Sequence, residues 1–261
     1  MPTENFINSN VVIGNILNDN REIRLDTFID PTREDYKEFK NFVELTKNQK
    51  CLYDVGCADG IFSFAFCSDD TKVSHAFDAS HQLQLSITET IVKNPTKKIM
   101  YHKMFLGNED TIKSYDSSKL QSYAVSGNDT VVMITMDSFC SLTNVIPDTI
   151  KIDTEGYEYN VLMGGKELIL SHRPLMFIEL HPIFMSMYGI HISQIFDLQK
   201  KFNYSIKDIS GKEITFEDVS CNYQTKKTQQ VTADDVVESM QKRIYDFPTS
   251  KNSIRTVWYP K

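Results

Sequence analysis

Two short stretches hold most of the side chains able to do chemistry. In Lys151-Ile152-Asp153-Thr154-Glu155-Gly156-Tyr157-Glu158, three carboxylates surround a glycine, and Glu179-Leu180-His181-Pro182 follows downstream. Carboxylates and a neutral imidazole can take a proton from an attacking group near physiological pH. In the other stretch, Asp54-Val55-Gly56-Cys57-Ala58-Asp59-Gly60-Ile61-Phe62-Ser63, Gly56 and Gly60 separate an apolar strand-like run, Leu52–Val55, from a run able to form a helix. A strand, a glycine turn and a helix let backbone approach a ligand closely and aim helix N–H groups at it.

The nature of that ligand narrows from the residues present. A dinucleotide fingerprint needs glycines where Ala58 and Ile61 stand. The chain holds no Gly-Lys-Ser or Gly-Lys-Thr, so a phosphate-binding P-loop is excluded. Asp54 and Asp59 suit a cation better than a pyrophosphate. S-adenosylmethionine, with its sulfonium and ammonium, fits best. Asp78 ends the next β-rich run, Val73–Phe77, where ribose hydroxyls arrive in a strand–helix–strand unit and a carboxylate can accept from both.

The elements that must position these groups read as alternating strands and helices. Strands are expected near Leu52–Val55, Val73–Phe77, Ile99–Leu106, Val131–Met136, Thr149–Asp153, Leu175–Ile178, Tyr204–Ile209 and Ser253–Trp258. Helices are expected at Ile61–Cys67, Ser80–Lys93, Tyr157–Met163 and Ile195–Phe202, and another after a capping-box-like start at Thr232, with Val236, Met240 and Ile244 on one face. Val131–Met136 is followed by Asp137–Phe139 and a short linker containing Pro147. Asp54, Asp153 and Glu179 each end a strand, the side of a parallel sheet where ligands bind. A polar loop without a clear period spans 109–129. Before the glycine stretch, Val11–Leu17 and Arg21–Phe28 flank an Asn18–Asn20 turn, and a helix begins at Asp30-Pro31 with Tyr36, Phe39 and Val43 on one face. The domain reading is therefore a small hairpin-plus-helix addition over 1–49 and one larger domain over 50–261.

Composition bounds the rest. A chain of 261 residues with 41% hydrophobic residues can bury a sizeable core. A formal charge of −7, with only sparse Lys97-Lys98 and Lys226-Lys227 pairs, argues against nucleic acid as the partner. Five cysteines without CxxC spacing read as reduced, mostly buried thiols of a cytoplasmic protein. The polar start carrying Glu4 is unlike a signal peptide, and no apolar run reaches membrane-spanning length.

The two chemical stretches resemble those of the FkbM-type S-adenosylmethionine-dependent methyltransferases. Asp54–Ser63 is similar to that family's first motif and Lys151–Glu158 to its most distinctive one, with Val161-Leu162 and Gly164-Gly165 trailing. Thr135–Phe139 and Phe177–Glu179 resemble the flanking segments, and the likeness covers roughly residues 50 to 185. One departure is Cys57-Ala58-Asp59, where the family usually carries asparagine at the position of Ala58. The resemblance implies a class I methyltransferase fold: a Rossmann-like α/β, mostly parallel seven-stranded sheet with helices on both faces and one antiparallel strand near the C-terminus. It also implies O-methylation of a hydroxyl on a sugar, glycan or other small metabolite.

On this reading, cofactor contacts are expected from Asp54, Gly56, Cys57, Asp59, Gly60, Phe62, Asp78, Ala79, Leu106 and Asp153. Removal of the acceptor's proton is expected from His181, with Glu155 as the runner-up and Glu179 beside them. Asp153, Glu155, Glu179 and His181 could also hold a divalent metal, but the pattern is not specific and no metal is expected. A nucleic-acid methyltransferase and a non-catalytic binding module of the same fold are the competing functions.

Overall fold

The structure, a computed structural model, describes residues 12–13, 23–24, 36–79, 81–114, 130–219 and 253–261. Strands β1 (Val12–Ile13) and β2 (Ile23–Arg24) pair antiparallel, and helix α1 (Tyr36–Leu45) follows. Then come β3 (Cys51–Val55), α2 (Ile61–Phe66), β4 (Val73–Phe77), α3 (His81–Lys93) and β5 (Lys98–His102). The short β6 (Phe105–Leu106), β7 (Thr111–Ser114) and β8 (Thr130–Ile134) precede α4 (Met136–Thr143) and β9 (Thr149–Ile152). Helices α5 (Glu158–Gly164) and α6 (Lys166–His172) lead to β10 (Leu175–Leu180). Helices α7 (Pro182–Met187) and α8 (Ser193–Phe202), then β11 (Tyr204–Asp208) and β12 (Ile254–Pro260), complete the series.

Seven strands form the main sheet in the order β11-β12-β10-β9-β3-β4-β5. All neighbours from β10 to β5 are parallel, whereas β12 runs antiparallel to both β10 and β11. The expected α/β sheet with one reversed strand is therefore present. From β3 the chain builds outward to β4 and β5, then returns to place β9 and β10 on the other side. The strand order reverses between β3 and β9, and the crevice beyond their carboxyl ends is where such sheets bind ligands.

Side-chain alternation along the strands feeds two cores. Tyr53, Val55, Ile150, Ile152, Met176 and Ile178 pack into one. Leu52 and Phe177 point to the other face, against Phe39 and Phe42 of α1 and Phe64 of α2. Phe42 is fully buried and meets Phe62 and Phe177 edge-on at 5.0 and 4.9 Å between ring centres. Burial of a phenylalanine of this kind contributes about 1.5–3 kcal/mol. The same alternation puts Asp54, Lys151, Glu179 and Arg255 on the α1 side, so charged groups reach an otherwise apolar layer.

Several expectations need correction. The third strand, expected as Ile99–Leu106, is broken. The chain turns at Met104, whose N–H donates to His102 O at 2.9 Å, and β6 leaves the main sheet to pair with β8. The run at Val131–Met136 is thus part of a separate three-stranded sheet, β6-β8-β7. Its last residue, Met136, begins α4, where a linker was expected; Thr135 caps that helix by accepting the Ser138 N–H at 3.1 Å. Within the loop expected over 109–129, Thr111–Ser114 is β7. The buried residues of α1 are Glu38, Phe39 and Phe42 rather than the Tyr36, Phe39 and Val43 face. Asp30-Pro31, the Asn18–Asn20 turn and the helix after Thr232 lie outside the described residues. Among the described residues no helix is long and apolar enough to cross a membrane.

Candidate active site

Central strands covered on both faces normally run apolar, so Lys151, inside β9 and 2% exposed, requires partners. Its Nζ lies 3.3 Å from Asp153 Oδ2 and 3.8 Å from Glu38 Oε1, with the Phe62 ring centre 4.4 Å away. Burial would lower its pKa, but Asp153, Glu38 and Glu179 outweigh burial and keep the ammonium charged. Arg255 Nε lies 2.8 Å from Glu38 Oε2 and 3.4 Å from Glu179 Oε2. Burial pushes the Glu38 carboxyl up to about 7, against the pull of Lys151. Asp153 moves the other way: burial opposes its ionisation, yet Lys151 and His181 hold its pKa below the ordinary aspartate range.

Beyond β9 the backbone turns sharply. Glu155 sits at φ +51° and Gly156 at φ +103°. A Cβ on Gly156 would fall 2.6 Å from the Phe184 backbone carbon, so glycine lets α7 lie directly against the turn. Left-handed backbone costs a non-glycine residue about 1–2 kcal/mol and tends to mark functional positions. The turn is held by Glu158, fully buried, whose Oε1 accepts from Gly156 N at 2.9 Å and Thr154 N at 3.4 Å.

The same Glu158 Oε1 lies 2.9 Å from His181 Nδ1. His181 stands at the N-terminus of α7, and Pro182 fixes the first helical position after it. Its Nε2 faces Glu155 Oε2 at 3.6 Å, Glu179 Oε1 at 3.9 Å and Asp153 Oδ1 at 4.0 Å. Burial alone would lower the imidazole pKa, but the Glu158 hydrogen bond and the charges of Glu158, Glu155 and Asp153 push it up to about 10. Glu155 is raised to about 7, by desolvation first and the neighbouring acids next, with His181 opposing. Its side chain stays 45% exposed, so solvent screens part of that shift.

The glycine stretch lies directly beside this cluster. Gly56, at φ +75°, packs so closely on β9 that a Cβ there would fall 1.9 Å from Asp153 O. Gly56 N and Cys57 N both donate to Phe77 O, at 2.9 and 3.1 Å. Ala58 N donates to Asp78 Oδ2 at 3.0 Å, which ties the half-buried acid at the end of β4 to the loop. The Cys57 thiol is pushed well above its ordinary value, by burial first and then by Asp78, Asp54 and Asp59. Closely approached backbone in a negative field suits a cationic ligand bearing ribose hydroxyls.

Several of the expected cofactor contacts are engaged within the protein itself. Asp54 is 1% exposed, and its Oδ2 accepts from Ser63 N at 3.1 Å and Ser63 Oγ at 2.6 Å. It therefore serves the start of α2. Phe62 packs over Lys151 and against Phe39 and Phe42 of α1. Cys57, Ala79 and Leu106 are buried at 5%, 0% and 2% exposure. Gly56, Asp59, Gly60 and Asp78 belong to the loop and strand end themselves, while Asp153, Glu155, Glu179 and His181 converge.

Sequence reasoning missed Glu38, Glu158 and Arg255. Glu38 had a usable signal, because it stands four residues before Phe42 and shares its buried helix face. Glu158 lay inside the quoted motif without an assigned role. Arg255 had no local signal: it meets Glu179 through the β10–β12 register, across a long sequence separation.

The seven-stranded sheet with its one reversed strand and the glycine loop at its switch point are those expected of the class I methyltransferase fold. The Methyltransferase FkbM domain matches residues 39–206, and the chain belongs to that family. Among solved structures it is similar to methyltransferase FkbM from Methylobacillus flagellatus, with 16% identity, a TM-score of 0.45, and coverage of 61% of this chain and 39% of that one. A precorrin-6y C5,15-methyltransferase from Geobacter metallireducens shows 9% identity and a TM-score of 0.43 over 67% of this chain and 74% of that one. A ribosomal protein L11 methylase from Lactobacillus delbrueckii shows 13% and 0.44 over 74% and 81%. No curated protein matches the sequence.

Proposed function

We propose that this protein methylates a hydroxyl oxygen of a sugar, glycan or other small metabolite. The observation that carries the reading is the convergence of Glu155 and His181, with Asp153 and Glu179, beyond the ends of β9 and β10 and against the glycine loop. An alcohol must lose a proton as it attacks, so proton-accepting groups beside the cofactor loop favour oxygen as the acceptor atom. The net charge of −7 favours a small or neutral acceptor over a nucleic acid.

The cofactor, when bound, supplies an electrophilic methyl carbon on a sulfonium. The chain's part is to hold it through the Gly56–Gly60 backbone, with Asp78 toward the ribose and the acids offsetting its positive charge. His181, the first choice as proton acceptor on sequence grounds, holds its own proton near neutrality beside Glu158. That role passes to Glu155, exposed enough to meet an arriving hydroxyl. Residues 1–49 add α1 and Glu38 to the methyltransferase domain of 50–261 on this view.

The test is transfer of labelled methyl from S-adenosylmethionine into fractionated cell extract, with the product identified by mass spectrometry. Label in a methoxyl group of a small or carbohydrate compound supports the reading. Label in nucleic acid or on nitrogen overturns it.

A further inference from the structure

We propose that Asp153, Glu155 and His181 bind one divalent cation, best matched by manganese. Their donor atoms lie within 4.8 Å of one another. His181 is the observation that separates this cluster from ordinary surface acids. Its side chain is 6% exposed, and its Nε2 points at three carboxylate oxygens, the nearest 3.6 Å away. That exceeds hydrogen-bond distance, so Nε2 is aimed into the cluster at ion-pair range without a hydrogen-bonded partner there, and a bound cation would take the place of its proton. Donors held at about 2.0–2.6 Å from a cation stand about 3–5 Å from one another, and the spacings from Nε2 to Glu155 and Asp153, 3.6 and 4.0 Å, fall in that range.

Charge and orientation agree. Glu38, Asp153 and Glu179 pair with two fixed cations, Lys151 and Arg255, while Glu155 and Glu158 face only His181 among these groups. Asp153 gives Oδ2 to Lys151 and turns Oδ1 to His181; Glu179 gives Oε2 to Arg255 and turns Oε1 to His181. The oxygens not used by the fixed cations are those that surround Nε2. On the opposite side of the ring, Nδ1 meets buried Glu158, the arrangement that orients a metal-binding histidine and presents its other nitrogen. Carboxylates suit manganese and imidazole suits zinc, iron and nickel, so two carboxylates to one imidazole put the set nearer manganese. A cation there would polarise an acceptor hydroxyl, leaving the second oxygen of Glu155 for its proton; that use, though not the binding, rests on the proposed O-methyl transfer.

The experiment is titration of chelator-stripped protein with manganese chloride, followed by the electron paramagnetic resonance signal of free ion, without cofactor or acceptor. One saturable site per chain is expected, displaced by excess magnesium and weakened at least about tenfold in Glu155→Gln and in Asp153→Asn. Glu155 is exposed, so its variant should melt like the parent, which separates lost binding from lost fold. No saturable binding, or equal binding in both variants, overturns the site. Methyl transfer by a protein that binds no manganese overturns the cation alone; manganese binding without methyl transfer to any hydroxyl supports the site and removes the proposed function.

Discussion

Asp54 and Asp153 stand at the ends of neighbouring parallel strands, and their surroundings drive them apart. Asp54 is sealed under α2, bonded to Ser63, and burial pushes its pKa up to about 6 despite those bonds and Lys151. Asp153 is half-buried between Lys151 and His181, and its pKa falls. Residue type is the same and the positions are close, Asp54 lying beside Lys151 in the register and Asp153 just past the end of β9. The difference lies in the partners: a serine from the first turn of the following helix in one case, a lysine from β9 itself and a histidine from the end of β10 in the other. One aspartate holds the start of the helix after the glycine loop, and the other joins the charged cluster beyond β9 and β10.

The largest expected effect breaks the charged side of this contrast. Lys151→Ala leaves Glu38 and Asp153 without their buried cation, and removing one partner of a buried ion pair costs about 3–5 kcal/mol. Urea unfolding would show it, and a loss below about 1 kcal/mol would mean that the network contributes little to the fold.

Next comes a change of pH dependence at Asp54. Its folded pKa lies above its ordinary value of 3.8, so its stabilisation is present at low pH and lost as pH rises toward about 6. Asp54→Asn abolishes that loss, so the variant should gain on the parent by about 3 kcal/mol between pH 3 and pH 8. The comparison must be made as a difference. His75 is pushed down to about 4 by burial and by His102, which makes the parent lose stability as pH falls through the same window. Identical slopes in both proteins would remove the protonated Asp54 from the account.

A smaller effect sharpens the ligand side. Asp78→Ala should weaken S-adenosylmethionine binding by about 1.5–3 kcal/mol, the worth of a hydrogen bond to a charged group. Calorimetry on folded variant decides it, and unchanged affinity would remove Asp78 as the ribose partner.

The sheet was legible because most of its strands are apolar runs that end at glycines, prolines or acids. The glycine loop and the acids of Lys151–Glu158 were legible because turn chemistry and carboxylates are local signals. What escaped depends on tertiary pairing. Glu38 reaches Lys151 only after α1 docks, and Arg255 meets Glu179 only through the register of β10 and β12. The break between β5 and β6 escaped for a related reason, since Phe105-Leu106 is as apolar as the strand before it and only its pairing with β8 removes it from the main sheet. The direction of the His181 shift followed the same rule, because the decisive partner, Glu158, returns to it from another helix.

The central claim is that proton removal happens at the β9–β10 end while cofactor binding belongs to the glycine loop. Glu155→Gln tests it most directly, with S-adenosylmethionine affinity and methyl-transfer turnover measured on one preparation. Affinity should stay within about twofold of the parent while turnover falls about 10²–10⁴-fold, the usual contribution of a positioned base. Full turnover in that variant, or a turnover loss matched by an equal loss of cofactor affinity, would contradict the account.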